Sequence, residues 1–179
     1  YAYGPPDGPM TERTPQRAQG EKGRTRIAMA DELMRAHADG KLRVTIGRSS
    51  DYYGPRGTAT TAGDNIMKPA LRGRRARWLV ALDQPHTLNY LEDMARALVT
   101  LGRRDEADGQ VWHLPAAEPL TGRRFLTLVF EAAGHPAKIG AVSRPMIRMA
   151  GLFSPFLREL NETLYQFERP FVSDASKFQ

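Results

Sequence analysis

Apolar and polar side chains recur along the chain with two different periods, and the longer period predicts helices. In the stretch 23–39, apolar residues return every three or four positions, which places them on one helical face. Gly40 then supplies a typical helix stop. The same period predicts four further helices, over 64–73, 89–102, 121–134 and 145–167, the last in two pieces.

Shorter runs between these helices predict strands. Residues 42–46 alternate between apolar and polar, and residues 78–82 form a short apolar run. Further strands are predicted over 111–114, 138–142 and 171–172. The first 21 residues are instead rich in glycine and proline without any period, which predicts a loop. Because helices and strands alternate with short connections, the pattern indicates an α/β fold.

Composition places the chain among cysteine-free globular proteins. Its 179 residues are 41% hydrophobic and 26% charged, which is typical of a folded domain. Without cysteine, disulfides, cysteine-ligated zinc sites and thiol nucleophiles are excluded. The four histidines lack metal-ligand spacing, so we expect no metal. No apolar run reaches the ~18 residues of a membrane span, and no signal segment is evident. We therefore expect a cytoplasmic protein without a membrane partner.

Charge leaves one further hypothesis open. Lysine and arginine number 26 against 20 acidic residues, a net charge of +6. The basic stretch 72–77 is the densest cluster, and it supports the hypothesis of a basic nucleic-acid-binding fragment. It has no interleaved aromatic residues and no zinc-finger or helix-turn-helix spacing, so a solvated turn is the favoured explanation.

The polar loop 47–57 is the first candidate site, because it follows a predicted strand. In open α/β sheets, ligands bind beyond the carboxyl ends of the strands. Its hydroxyls, carboxylate and phenols could orient a polar ligand there. A simple turn between strand and helix explains the same composition.

Two more candidates lie at predicted helix starts. His86 could bind an anion or a sugar hydroxyl, or could have no role in binding. Asn89, with Glu92 three residues later, favours a helix cap. Lys22 and Arg26 lie four residues apart and share a helix face. Cations at a helix start oppose the helix dipole, so they indicate either an anionic ligand or a solvated basic stretch.

In order, five motifs resemble those of the extended short-chain dehydrogenase/reductase group, the NAD-dependent epimerase/dehydratase family. The family patterns are V-Y-x-x-G-P, R-x-x-N-x-Y-G-P, a helix from Asn to Gly, Y-V-x-D-x-A, and D-x-S-K. The matching segments here are Tyr1 to Pro5, Arg48 to Pro55, Asn65 to Gly73, Tyr90 to Ala95, and Asp174 to Lys177.

The resemblance implies the second half of a Rossmann-like parallel sheet plus a small carboxyl-terminal α/β substrate lobe. Its implied organisation is a loop over 1–21, a partial NAD(P)-binding domain over 22–115 with segments contributing to the substrate lobe, and a carboxyl-terminal substrate-binding lobe over 116–179. The family's glycine-rich dinucleotide fingerprint is missing from the sequence. We therefore expect the carboxyl-terminal portion of a longer protein, a homodimer when full length, and self-association of this chain alone.

The resemblance also implies site residues. Ser49, Ser50 and Tyr52 fall where the family contacts the nicotinamide end of NAD or NADP. The residues predicted to contact the substrate, a small molecule such as a nucleotide sugar, are Asp51, Asn65 and His86. Asp51 stands in place of the Asn that is usual in the family.

The family's catalytic Y-x-x-x-K pair aligns with Lys22 and Arg26, so these two are the predicted catalytic residues. Arg26 could still hold the cofactor ribose, since it is a cation and a fork of donors. The leading hypothesis is an NAD(P)-dependent oxidoreductase or epimerase-like protein acting on a sugar-like or other hydroxylated molecule, active only at full length. The alternative is a non-catalytic NAD(P)-binding sensor or scaffold.

Overall fold

Seven α-helices and eight short strands alternate in the computed structural model, which describes residues 1–179 except the side chain of Phe156. The helices are α1 Glu21–Ala38, α2 Asp64–Leu71, α3 Leu91–Leu101, α4 Gly122–Ala132, α5 Arg144–Gly151, α6 Pro155–Leu160 and α7 Tyr165–Glu168. The strands are β1 Thr45–Arg48, β2 Asp51–Tyr53, β3 Ala76–Leu79, β4 Pro85–His86, β5 Leu88–Tyr90, β6 Gln110–His113, β7 Leu120–Thr121 and β8 Ile139–Val142. Three 3₁₀ turns cover Asp105–Ala107, Asn161–Thr163 and Ser176–Phe178.

The strands form four pairs, three of them parallel. β1 pairs with β6, β2 with β5 and β3 with β8, whereas β4 pairs with β7 in the antiparallel sense. Parallel pairing needs a long crossover between partners, and helices α2 to α4 lie in those crossovers. The predicted α/β fold class is confirmed.

The largest hydrophobic core lies between α2, α4 and β3. Trp78 and Phe130 are its largest fully buried side chains, and Ile66 and Leu126 pack in the same cluster. Gly122 lets the start of α4 approach the indole closely, because a Cβ at that position would come within 2.5 Å of Trp78. Along β3 the exposed and buried residues alternate, so Arg77 of the basic stretch is exposed while its neighbours are buried.

The amino-terminal loop packs against the last residues of the chain. The Met10 N–H donates to the Val172 carbonyl at 2.8 Å, and the Asp174 N–H donates to the Met10 carbonyl at 2.8 Å. Isolated bridges between Met10 and Ser173 and between His86 and Phe171 continue this pairing. The segment predicted as strand-like at 171–172 is therefore paired on both sides.

Two local predictions are wrong. The predicted polar loop 47–57 contains β2, which is held in place by its ladder with β5. Asn89 is not a helix cap: it lies in β5, Tyr90 precedes α3, and no side chain caps that helix end. Asn89 bonds instead to distant backbone groups, which local spacing could not indicate.

Within the described part of the chain, no helix is both long and apolar enough to cross a membrane.

Candidate functional site

A cleft of about 500 Å³ opens between α1, the ends of β1 and β6, and the carboxyl-terminal segment. Its position follows from the parallel ladder, because Arg48 and His113 are register partners at the carboxyl ends of β1 and β6. Ligand sites in open α/β folds form at such strand ends. Five residues singled out from the sequence line it: Arg26, Ser49, Ser50, Asp51 and Tyr52.

Ser50 lies in the cleft lining and holds the turn between β1 and β2. Its backbone N–H donates to the Asn89 side-chain oxygen at 3.0 Å, which fixes the turn between β1 and β2. Its Oγ is buried and has no hydrogen-bond partner among the described residues. A buried hydroxyl without a partner is unfavourable, so the Ser50 hydroxyl is a polar group that the described residues leave unsatisfied.

Asp51 is the acidic residue of the cleft, and two neighbours orient its carboxylate. His86 Nε2 lies 2.9 Å from Oδ2, and the Thr61 hydroxyl donates to Oδ1 at 3.2 Å. One carboxylate at the cleft surface can accept hydrogen bonds from ligand hydroxyls.

His86 itself is buried behind Asp51. Its ring stacks on Phe167 with centroids 4.9 Å apart and on Phe171 with centroids 5.4 Å apart. Its Nδ1 lies 3.1 Å from the Gln166 carbonyl oxygen. His86 does not line the cleft, so its contact with the site passes through Asp51. Its predicted substrate contact stays a prediction.

The two predicted catalytic residues, Lys22 and Arg26, do not meet in this cleft. Arg26 lines it, whereas Lys22 lines a neighbouring cavity of about 270 Å³. The Lys22 ammonium lies 3.0 Å from the Glu159 carboxylate, and both side chains are partly exposed. Asn65 also lies elsewhere: it is exposed on α2 and donates to the Thr61 carbonyl at 3.0 Å.

A hydrogen-bonded cluster in the cleft was missed from the sequence. Tyr3 Oη lies 2.5 Å from His113 Nε2, and Arg48 Nη1 donates to the same phenolic oxygen at 2.8 Å. His113 Nδ1 lies 2.9 Å from both the Asp174 carbonyl oxygen and the Ser173 hydroxyl. The position of His113 in the predicted strand 111–114 was an available signal, since strand ends carry such sites.

Burial changes the acidity of two groups in this cluster. It raises the pKa of the Tyr3 phenol, and the hydrogen bond from Arg48 acts in the opposite direction. It lowers the pKa of the His113 imidazole, with the nearby Glu12 carboxylate opposing that change. A neutral imidazole at neutral pH is a proton acceptor.

Among the described side chains, no three metal-ligating groups converge.

Comparison with known proteins gives a family match and several similar folds. The family model "NAD dependent epimerase/dehydratase family" matches residues 1–114. Similar solved structures include UDP-glucuronic acid 4-epimerase from Bacillus cereus in complex with NAD, at 16% identity and a TM-score of 0.76, covering 99% of this chain and 50% of that one. Another is a double mutant of dTDP-glucose 4,6-dehydratase from Streptomyces venezuelae with NAD bound. It has 18% identity and a TM-score of 0.70, and the match covers 99% of this chain and 49% of that one.

A third similar structure is UDP-glucose 4-epimerase from Thermus thermophilus in complex with NAD. It is 21% identical, has a TM-score of 0.66, and is matched over 93% of this chain and 60% of its own. The chain spans about half the length of the first two structures. No curated protein matches the chain by sequence. The family match covers more than half of the residues, and it confirms the resemblance seen in the motifs. The chain belongs to the NAD-dependent epimerase/dehydratase family.

Proposed function

We propose that this chain forms the nicotinamide and substrate side of an NAD(P)-dependent enzyme that acts on a sugar-like hydroxylated molecule. The observation that carries the proposal is the cleft, which gathers Arg26, Ser49, Ser50 and Tyr52 at the carboxyl ends of parallel strands. These are the four side chains that the family resemblance assigns to the cofactor. The whole enzyme includes the half of the family fold that this chain does not span.

The side chains in the cleft fit the nicotinamide end of such a cofactor. The Arg26 guanidinium can donate to ribose hydroxyls, and the Ser49 hydroxyl and Tyr52 phenol lie in the same cleft lining. When bound, NAD or NADP supplies hydride transfer at a carbon atom. The sequence holds no glycine-rich fingerprint for the pyrophosphate, so we assign only the nicotinamide end to this chain.

A nucleotide sugar is the substrate class we propose. Asp51 lines the cleft with its carboxylate held by His86 and Thr61, which suits a ligand rich in hydroxyl groups. One similar structure is a UDP-glucose 4-epimerase determined with UDP-glucose. With this substrate we propose residues 22–115 as the partial cofactor domain, residues 116–179 as the substrate lobe, and a cytoplasmic homodimer for the whole enzyme.

Cofactor titration tests the proposal. The complete open reading frame containing this chain is expressed, and NADH and NADPH are titrated by fluorescence. We expect saturable binding of one of them, and an Arg26→Ala variant whose Kd is raised about tenfold, or ~1.4 kcal/mol. The matched control is Arg24→Ala on the same helix, whose side chain bonds to the Gln19 carbonyl outside the cleft. Absence of saturable binding in the wild type would overturn the proposal.

A second candidate is a protein that binds NAD(P) without catalysis. The ion pair of Lys22 with Glu159 favours it, because the residue aligned with the family's tyrosine is engaged outside the cleft. Cofactor binding without turnover of any nucleotide sugar, alcohol or ketone tested would support this candidate. Turnover above background would exclude it.

A further inference from the structure

The hydrogen bonds around His113 determine which ring nitrogen carries the proton. Its Nδ1 lies 2.9 Å from the Asp174 carbonyl oxygen, which can only accept. The Ser173 hydroxyl, also 2.9 Å from Nδ1, can act as donor or acceptor, so a proton on Nδ1 satisfies both contacts. We therefore assign the proton to Nδ1, and the lone pair of Nε2 then faces Tyr3 Oη at 2.5 Å. The Tyr3 hydroxyl consequently donates to His113 and accepts from Arg48 Nη1 at 2.8 Å.

This arrangement prepares the Tyr3 phenol for proton transfer. A neutral base is in contact with its proton and a guanidinium donates to its oxygen, so these two hydrogen bonds favour the ionisation that burial opposes. The carbonyl of Asp174 orients the base in turn, which is the geometry of a group activated by an oriented imidazole.

The cluster also lies where the proposed reaction needs it. Tyr3, Arg48 and His113 line the same cleft as Arg26 and the β1–β2 turn. Lys22, which aligns with the family's tyrosine, lies outside that cleft in its ion pair with Glu159. The cleft therefore contains a phenol with its own base, although the usual helix position lacks one.

We propose that Tyr3 transfers the proton of the substrate hydroxyl in this cleft, with His113 as its base; this inference rests on the proposed function. In the step, the substrate O–H bond breaks and its electron pair stays on the substrate oxygen. The proton passes to Tyr3 Oη while the Tyr3 proton moves to His113 Nε2. The carboxylates of Glu12 and Asp174 favour the resulting imidazolium, whereas burial and the Arg48 charge oppose it.

A substitution of the phenol tests the role directly. In the complete protein, Tyr3→Phe is expected to lower kcat with UDP-glucose or UDP-glucuronic acid by about 10²–10⁴-fold, while the Kd for NADH stays within about twofold of the wild type. The matched control is Tyr53→Phe, because Tyr53 packs on Phe125 and does not line the cleft. Its kcat should equal that of the wild type.

The outcomes separate this inference from the proposed function. If the wild type neither binds NADH nor turns over either substrate, the proposed function fails and this inference fails with it. If the wild type does both and Tyr3→Phe keeps its kcat, only the inference is overturned. A merely structural role for Tyr3 would instead change the NADH Kd together with kcat.

The pH dependence gives a second readout. The groups facing His113 are Tyr3, Glu12, Arg48 and Asp174. Protonated Nε2 cannot accept a proton, so the wild-type kcat should fall as the pH drops through the imidazole pKa, which burial places below its ordinary value. In His113→Gln that acid limb should be absent. An acid limb that persists in His113→Gln would overturn the inference.

A measurement on the wild type needs no variant to fold. The ¹⁵N chemical shifts of the His113 ring report which nitrogen carries the proton, and we expect the Nδ1–H form at neutral pH. The Nε2–H form would overturn the inference, because Tyr3 could then no longer donate to that nitrogen.

Discussion

Asn89 joins three separate parts of the chain through one buried side chain. Its Nδ2 donates to the carbonyl oxygens of Leu114 at 3.1 Å and Pro115 at 2.9 Å. Its Oδ1 accepts from the Ser50 N–H at 3.0 Å. The side chain is fully buried, so each lost bond would leave a backbone group without a partner. The turn that carries the candidate site thus depends on a residue outside the cleft.

Replacing Asn89 by Asp keeps the shape of the side chain but removes both donors. A carboxylate oxygen would then face the carbonyl oxygens of Leu114 and Pro115. We expect the free energy of unfolding to fall by about 2–4 kcal/mol, measured by urea unfolding at neutral pH. The control is Asn65→Asp, at an exposed position of α2, where a change within about 0.5 kcal/mol is expected. Equal losses in both variants would contradict this account.

At the residue scale, the role of a side chain could be predicted only where the signal for it lies nearby in the sequence. The strand end visible in the sequence drew attention to the loop 47–57, and the family resemblance assigned the candidates from Ser49 to Tyr52 within it; these residues do line the cleft. The cap predicted for Asn89 is wrong because its partners are 25 and 26 residues further along the chain. The Tyr3–His113 bond joins residues 110 positions apart, beyond any local pattern.

At the scale of elements, long periodic segments were predicted well and very short strands were not. The helix predicted over 23–39 is α1, and the one predicted over 89–102 is α3. Strands β4, β5 and β7 have two or three residues, too few to show a period. They exist because neighbouring strands supply hydrogen-bond partners. Such elements are a property of the assembled fold rather than of their own sequence.

The start of α4 offers a prediction at this scale. Thr121 precedes α4, and its hydroxyl accepts from the Arg124 N–H at 3.1 Å. Thr121→Ala removes that acceptor, so the free energy of unfolding should fall by about 1 kcal/mol in a urea titration. Thr121→Ser keeps the hydroxyl and should retain most of the stability. Matching losses in the two variants would show that the cap contributes nothing.

At the scale of the whole molecule, the chain leaves a cluster of large apolar side chains exposed after α5. Leu152 is 78% exposed and Phe153 is 90% exposed, and Met149 on α5 is exposed beside them. Single exposed apolar residues are ordinary, whereas a contiguous group indicates an interaction surface or an association liability. This feature supports the expectation that the chain alone self-associates.

A double substitution tests that expectation. Leu152→Ser combined with Phe153→Ser should weaken self-association, seen as a lower weight-average mass across a concentration series in sedimentation velocity. The free energy of unfolding should change by less than about 0.5 kcal/mol, because neither side chain is buried. Leu71→Ser, an exposed leucine at the end of α2, is the control and should leave association unchanged. An unaltered mass distribution in the double variant would contradict the prediction.

The pairing of Met10 with the segment around Ser173 has a consequence for synthesis on the ribosome. The partners of Met10 are Val172 and Asp174, so its backbone bonds cannot form until nearly the whole described chain has emerged. At about 5–20 residues per second, that delay is roughly 10–30 s. During that interval the amino-terminal loop is accessible to chaperones and proteases. Its exposure in the cell is therefore governed by the order of translation as well as by the stability of the finished fold.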